Sequence, residues 1–167
     1  MKRITILFIL LAVMLPLCGC REEAEPILSP VTFYYSRAEF DHGNENSVIH
    51  GEIRESAGYE GDLIGLLNLY LNGPISEEYK ATFPAGTKLK DFQVEDKTAV
   101  LTVTDQLSLA RGINLTVACA CLTKTVLEMT GLDAVKIQAE TVNLGNSVFI
   151  LMDRSSLLLL DAEEIHP

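Results

Sequence analysis

Histidine is scarce in this chain, and the sequence patterns that often accompany catalysis are missing. Only three histidines occur in 167 residues, whereas hydrolytic chemistry usually needs a histidine as a base or a metal ligand. No serine stands in a G-x-S-x-G elbow, and no glycine-rich phosphate-binding loop is present. The sequence therefore favours a non-catalytic protein that uses no cofactor.

Few residues are available to bind a metal. His50 and Glu52 share one face of a predicted strand, and together with His42 they could form a small metal site or the centre of a wall hydrolase. We expect His50 and Glu52 to be solvated residues of an edge strand instead. The stretch from Asp41 to Asn46 is rich in oxygen ligands but lacks the register and the distant glutamate of a calcium loop, so a flexible loop is the better interpretation.

Positive charge is also in short supply. The chain has 13 lysines and arginines against 23 aspartates and glutamates, a net charge of −10. A surface of this sign repels the phosphates of nucleic acids and disfavours electrostatic binding to anionic lipid or wall polymer. Nucleic acid is therefore not an expected partner, and any attachment to a membrane has to come from another source.

The longest apolar run is too short to cross a membrane comfortably, since a transmembrane helix needs about 20 apolar residues. The run extends from Ile4 to Leu15 and follows two basic residues, which is the layout of a secretory signal peptide. Its end, LCGC at residues 17–20, resembles the lipobox of a bacterial lipoprotein. That resemblance implies a signal peptide over residues 1–19 and a diacylglyceryl group on Cys20, which would anchor the protein to the extracytoplasmic face of the cell membrane.

Besides Cys20, only two cysteines lie beyond the leader, Cys119 and Cys121. Two positions apart in a predicted helix, they point about 200° away from each other and cannot pair. We expect both to be small core residues.

Periodicity predicts an α+β (mixed α/β) fold. The acidic, proline-containing segment 20–30 is expected to be the acylated N-terminus and tether. Strands are predicted at 31–36, 48–55, 88–94, 98–104 and 133–140, and helices at 62–71 and 116–130, capped by Asp62 and Thr116. Two apolar runs around Asp153 and Arg154 suggest a closing hairpin. We expect a single compact domain with two helices packed on one face of a mixed β-sheet and a C-terminal β-hairpin extension over residues 142–167.

Several ordered motifs point to one family. LLNLYLNGP at residues 66–74, FPAGTKL at 83–89, AVLTVTDQL at 99–107 and CLTKTVLEMTGLDAVKI at 121–137 together resemble the GerMN domain of sporulation and spore germination lipoproteins. The resemblance covers residues 31–141. It implies a compact, non-enzymatic extracytoplasmic α/β domain that is similar to ring-building envelope domains.

Four consecutive leucines near the C-terminus form the candidate interaction surface: Leu157, Leu158, Leu159 and Leu160. A strand with one exposed face would alternate, so this run has to be covered on both sides. Burial within the chain's own domain and contact with another chain are both compatible with the pattern.

The leading hypothesis is a membrane-anchored binding or assembly module in sporulation or germination. Its expected partners are the membrane, through Cys20, and envelope proteins or further copies of itself. The alternative is a lipoprotein that binds a solute or a cell-wall glycan, which would need a concave pocket with a few convergent polar groups.

Overall fold

The computed structural model describes residues 30–37 and 48–157. Predictions that fall on residues 1–29, 38–47 and 158–167 lie outside this part of the chain. They include the leader, the lipid attachment at Cys20, the tether, the loop with His42, and Leu158, Leu159 and Leu160.

The described residues form a mixed α/β fold, as predicted. The strands are β1 (Val31–Arg37), β2 (Ile49–Arg54), β3 (Tyr79–Lys80), β4 (Leu89–Glu95), β5 (Thr98–Val103), β6 (Ala134–Ala139) and β7 (Phe149–Asp153). The helices are α1 (Leu63–Leu71), α2 (Ile113–Thr130) and a short α3 (Arg154–Leu157), with a 3-10 helix at Asp105–Leu109 before α2.

The strands divide between two sheets. The first has the order β2-β1-β3, and the second has the order β4-β5-β6-β7, in which only β5 and β6 are parallel. Beyond its short pairing with β3, the free edge of β1 is closed by threonine side chains. The amide of Tyr34 donates to Oγ1 of Thr125 at 3.0 Å, and the amide of Ser36 donates to Oγ1 of Thr82 at 3.2 Å.

Helix α2 packs against both sheets, on β1 of the first and on β6 and β7 of the second. Its middle, from Ala118 to Leu127, is buried on all sides, as expected of a helix in the centre of a fold. Cys119 and Cys121 lie in this stretch, so the prediction that they are core residues is confirmed.

Local capping chemistry fixes the helix ends. The side chain of Asp62 accepts a hydrogen bond from the amide of Gly65 at 2.8 Å, which confirms it as the cap of α1. The prediction that Thr116 caps α2 is wrong. The helix begins three residues earlier, at Ile113, after Gly112 with φ 54°, and Thr116 lies within its first turn.

The end of the described chain differs from the predicted hairpin. Strand β7 is present, but Arg154–Leu157 forms a helical turn where the hairpin's turn was expected. The reason is the side chain of Asp153, whose Oδ1 accepts hydrogen bonds from Ser155 and Ser156 and so caps a helical turn.

Candidate interaction surface

Strand β2 turns its charged residues inward. Glu52 and Arg54 pair with Phe33 and Val31 in the β1–β2 register and are both buried, whereas Ile53 is 73% exposed. The prediction that Glu52 is solvated is therefore wrong. Ile49 at the start of β2 is also buried, but Glu52 and Arg54 are charged, and they can be buried because they bind each other.

The carboxylate of Glu52 is fully engaged. Its Oε2 accepts from Nε of Arg54 at 2.7 Å, and its Oε1 accepts from the amides of Ile75 and Ser76 at 3.0 and 2.8 Å. Nη2 of Arg54 also donates to the carbonyl oxygen of Gly73 at 2.8 Å. The pair therefore holds the segment after α1 against β2, which is a structural role.

Side chains able to hold a metal do not gather in the described ranges. Within residues 30–37 and 48–157, no three side chains of His, Cys, Asp or Glu form a group that could bind one. The two thiols are inaccessible as nucleophiles as well. Burial raises the pKa of Cys119 to about 12 and raises the pKa of Cys121 further, so both stay protonated at neutral pH.

The second sheet has one face on the core and one face open to solvent. On the core side, Leu101 of β5 and Ile137 of β6 are fully buried. On the other side, Phe149 and Leu151 of β7 are 45% and 58% exposed. The register places Leu151 beside Lys136 of β6 on this open face.

The open side of β7 is ordered by specific contacts. Nζ of Lys136 lies 5.0 Å from the centroid of the Phe149 ring, a cation–π contact. All three hydrogen bonds that the structure shows for the carboxylate of Asp153 go to Oδ1. These bonds lower the pKa of Asp153 to about 2, so the group stays ionised. We call Lys136, Phe149, Leu151 and Asp153 the β7 face.

The two edges of the second sheet differ. Strand β4, at one edge, carries Lys90, Asp91 and Glu95, and its register shifts between Leu89 and Asp91. Strand β7, at the other edge, has no charge, proline or glycine from residue 149 to 152. Charges and irregularities protect an edge from pairing with another chain, so within the described part of the second sheet β7 is the unprotected edge.

The predicted surface at residues 157–160 is described only at its first residue. Leu157 is 5% exposed and belongs to the hydrophobic core, while Leu158, Leu159 and Leu160 lie outside the described residues. The exposed apolar side chains of β7, those of Phe149 and Leu151, lie a few residues earlier. Their signal was present in the sequence as the uninterrupted apolar run of β7, which was interpreted only as one arm of a hairpin.

No helix within the described residues combines the length and the apolar character needed to cross a bilayer.

The fold and the β7 face define a small mixed α/β domain with an open sheet face. Its described residues include no cluster of His, Cys, Asp or Glu side chains that could bind a metal. The model of the Germane family, described as sporulation and spore germination, matches residues 32–144. The chain therefore belongs to this family, and the predicted resemblance is confirmed.

Solved structures agree on the fold. The first GerMN domain of the sporulation protein GerM from Bacillus subtilis superposes with a TM-score of 0.58 at 17% identity, over 77% of this chain and 99% of that domain. The tandem GerMN domains of the same protein match with a TM-score of 0.52 at 14% identity, over 75% of this chain and 45% of theirs. The chain has no significant match among curated protein sequences.

Proposed function

We propose that this sporulation-family chain is a lipid-anchored, non-catalytic module that binds proteins of the cell envelope on the outer face of the membrane. The lipobox at residues 17–20 supports the anchor, because cleavage before Cys20 would leave an acylated N-terminus. Several acyl chains give a durable attachment where a single chain is marginal. The tether of residues 21–30 would then hold the domain close to the bilayer.

The observation that carries the binding role is the β7 face. In a strand with one solvated face, the residues on that face are usually polar. On β7, however, the apolar side chains of Phe149 and Leu151 are exposed next to each other, with Lys136 and Asp153 around them. An apolar centre with a charged rim is the composition of a protein-binding patch.

A non-catalytic role is supported by the state of the reactive side chains, which are either bound to other groups of the protein or buried. The carboxylate of Glu52 is bound by Arg54 and two amides. The thiols of Cys119 and Cys121 are buried and protonated. None of these groups is available to a substrate.

Co-purification from detergent-solubilised membranes of the native organism tests the binding role. The tagged full-length chain should retain envelope proteins, and Leu151→Asp should lose them because it places a charge in the apolar centre. Val94→Asp is the matched control, since Val94 is 54% exposed on β4 at the opposite edge of the same sheet. Equal retention by both variants, or no envelope protein retained by the parent chain, would overturn the proposal.

Fractionation tests the anchor separately. The parent chain should sediment with membranes, and Cys20→Ala should lose the glyceride and leave the membrane fraction. Intact mass provides a second readout. A native polypeptide that keeps Met1 and carries no glyceride would refute the lipid anchor. The proposed binding role would not be affected by that result.

A further inference from the structure

We propose that the partner of the β7 face is a second copy of this chain, with β7 paired to β7 around a two-fold axis at Leu151. The two four-stranded sheets would then form one continuous eight-stranded sheet. The inference rests on the proposed function only for the assignment of this face to protein binding.

Strand β7 is the better edge for pairing with a second copy because it lacks the features that protect β4 from such pairing. An unpaired strand offers a row of amides and carbonyls to any extended chain, and proteins normally block it with charge, proline or a bulge. Strand β4 has three charged residues and a register shift, whereas β7 has neither up to Met152. Head-to-tail pairing through β4 is disfavoured by the same features, which leaves β7 with β7.

The β7 sequence suits antiparallel self-pairing. With Leu151 on the axis, residue 149 lies opposite residue 153 of the second copy, and Ile150 lies opposite Met152 of the second copy. The side chain of Leu151 then meets its own copy on the open face. Such a closed contact uses the same patch on both chains, which is the commonest arrangement in homo-oligomers.

Charge complementarity supports this register. It places Asp153 of the second copy directly across from Phe149, the ring over which Lys136 lies. Directly opposed side chains have Cβ atoms about 5 Å apart, so the ammonium group of Lys136 can meet the Asp153 carboxylate across the interface. Because the hydrogen bonds described for the carboxylate of Asp153 all go to Oδ1, Oδ2 can accept this contact. Because of the two-fold axis, the interface contains this ion pair between Lys136 and Asp153 twice.

Disulfide cross-linking of the full-length chain in native membranes tests the proposal. Opposed residues in an antiparallel pair have Cα atoms about 4.5–5.5 Å apart, inside the range that a disulfide spans. Leu151→Cys should therefore give a dimer under mild oxidation that reductant reverses. Gln93→Cys, exposed on the same face at the β4 edge, should stay monomeric. The parent chain controls for the native cysteines, of which Cys119 and Cys121 are buried.

The cross-linking results distinguish between the chains that could pair with β7. A dimer with Leu151→Cys alone supports the two-fold arrangement. A dimer only when Leu151→Cys and Gln93→Cys chains are mixed indicates head-to-tail pairing and overturns it. No dimer at all also overturns it, and it indicates that the chain's own residues 158–167 or a different protein cover the strand.

A second measurement guards against a variant that misfolds. Asp153→Lys should weaken cross-linking of Leu151→Cys because it opposes Lys136 across the axis, and adding Lys136→Asp should restore it by reversing both charges. Unchanged cross-linking in Asp153→Lys would contradict the register. If cross-linking fails while retention of envelope proteins still depends on Leu151, the inference falls and the proposed function stands.

Discussion

The guanidinium group of Arg54 lies 2.7 Å from the carboxylate of Glu52 within the fold, with side chains only 7% and 10% exposed. The same two groups bind the backbone of the segment after α1, at Gly73, Ile75 and Ser76. A single ion pair thus joins β2 to a connection about twenty residues further along the chain.

Removing the arginine should destabilise the protein strongly. Arg54→Met leaves Glu52 as a buried charge without its counter-ion, and such breaks cost about 3–5 kcal/mol. Adding Glu52→Gln should recover part of the loss, because the amide is neutral and its oxygen can still accept from the backbone amides. Urea unfolding of the soluble chain measures both changes.

The exposed pair of Lys97 and Asp133 provides the control. Their charged atoms lie 3.3 Å apart, but the side chains are 79% and 66% exposed. Surface pairs of this kind contribute about 0–1 kcal/mol, so Lys97→Met should change the free energy of unfolding little. If Lys97→Met and Arg54→Met lowered the free energy of unfolding by similar amounts, the larger effect expected from burial of the Glu52–Arg54 pair would be refuted.

The parts of the fold that depend on local chemistry were predictable. The β4–β5 hairpin turns at Asp96, with φ 54°, and α1 is capped by Asp62; both follow from a few neighbouring residues. The inward face of β2 was not predictable, because the backbone amides that Glu52 binds, those of Ile75 and Ser76, lie more than twenty residues away. Hydrophobic alternation cannot show that two charges satisfy each other.

The exposure of the apolar side chains of β7 was not predicted, for a related reason. Four leucines in a row are a stronger apolar signal than the run in β7, yet Leu157 is buried and Phe149 and Leu151 are exposed. Which face of a strand is covered depends on the helix that packs there. Here α2 covers the side of Ile150 and leaves the other side open.

A close approach at Gly51 should make this position intolerant of any side chain. A Cβ there would lie 2.6 Å from Cγ2 of Thr32 and 3.3 Å from the ring of Tyr34. Threonine is β-branched and stiff, so Gly51→Ala should lower the free energy of unfolding by about 1–3 kcal/mol through overpacking. Adding Thr32→Ser removes the clashing methyl group and should restore stability in a thermal melt. A double variant no more stable than Gly51→Ala would argue against this contact.

The hydroxyl of Tyr70 should contribute more than that of a more exposed tyrosine. It donates to the carbonyl oxygen of Tyr34 at 2.7 Å from a fully buried ring. Tyr70→Phe leaves that carbonyl without this donor, at a cost of about 1–3 kcal/mol. Tyr79→Phe is the control, since its hydroxyl donates to Gly51 at an exposed site where water can replace it. Equal effects of the two variants in urea unfolding would contradict the prediction.

The buried thiols should make the protein less stable in alkali. Burial raises the pKa of Cys119 to about 12 and that of Cys121 further, from ordinary values near 9. Above about pH 9 the unfolded chain releases these protons whereas the folded chain keeps them, so the free energy of unfolding falls as pH rises.

Each thiol contributes up to about 1.4 kcal/mol per pH unit, a limit approached above pH 10. The two together contribute up to roughly 3 kcal/mol per unit. A variant with Cys119→Ala and Cys121→Ala should lack this part of the slope while keeping the part due to Tyr35 and Tyr70, whose pKa values burial also raises. The comparison uses the slope of stability against pH, measured by urea unfolding with reductant between pH 8 and 10.5, because the substitutions also alter core packing. Parallel curves for the two proteins would show that the thiols are not buried as protonated groups.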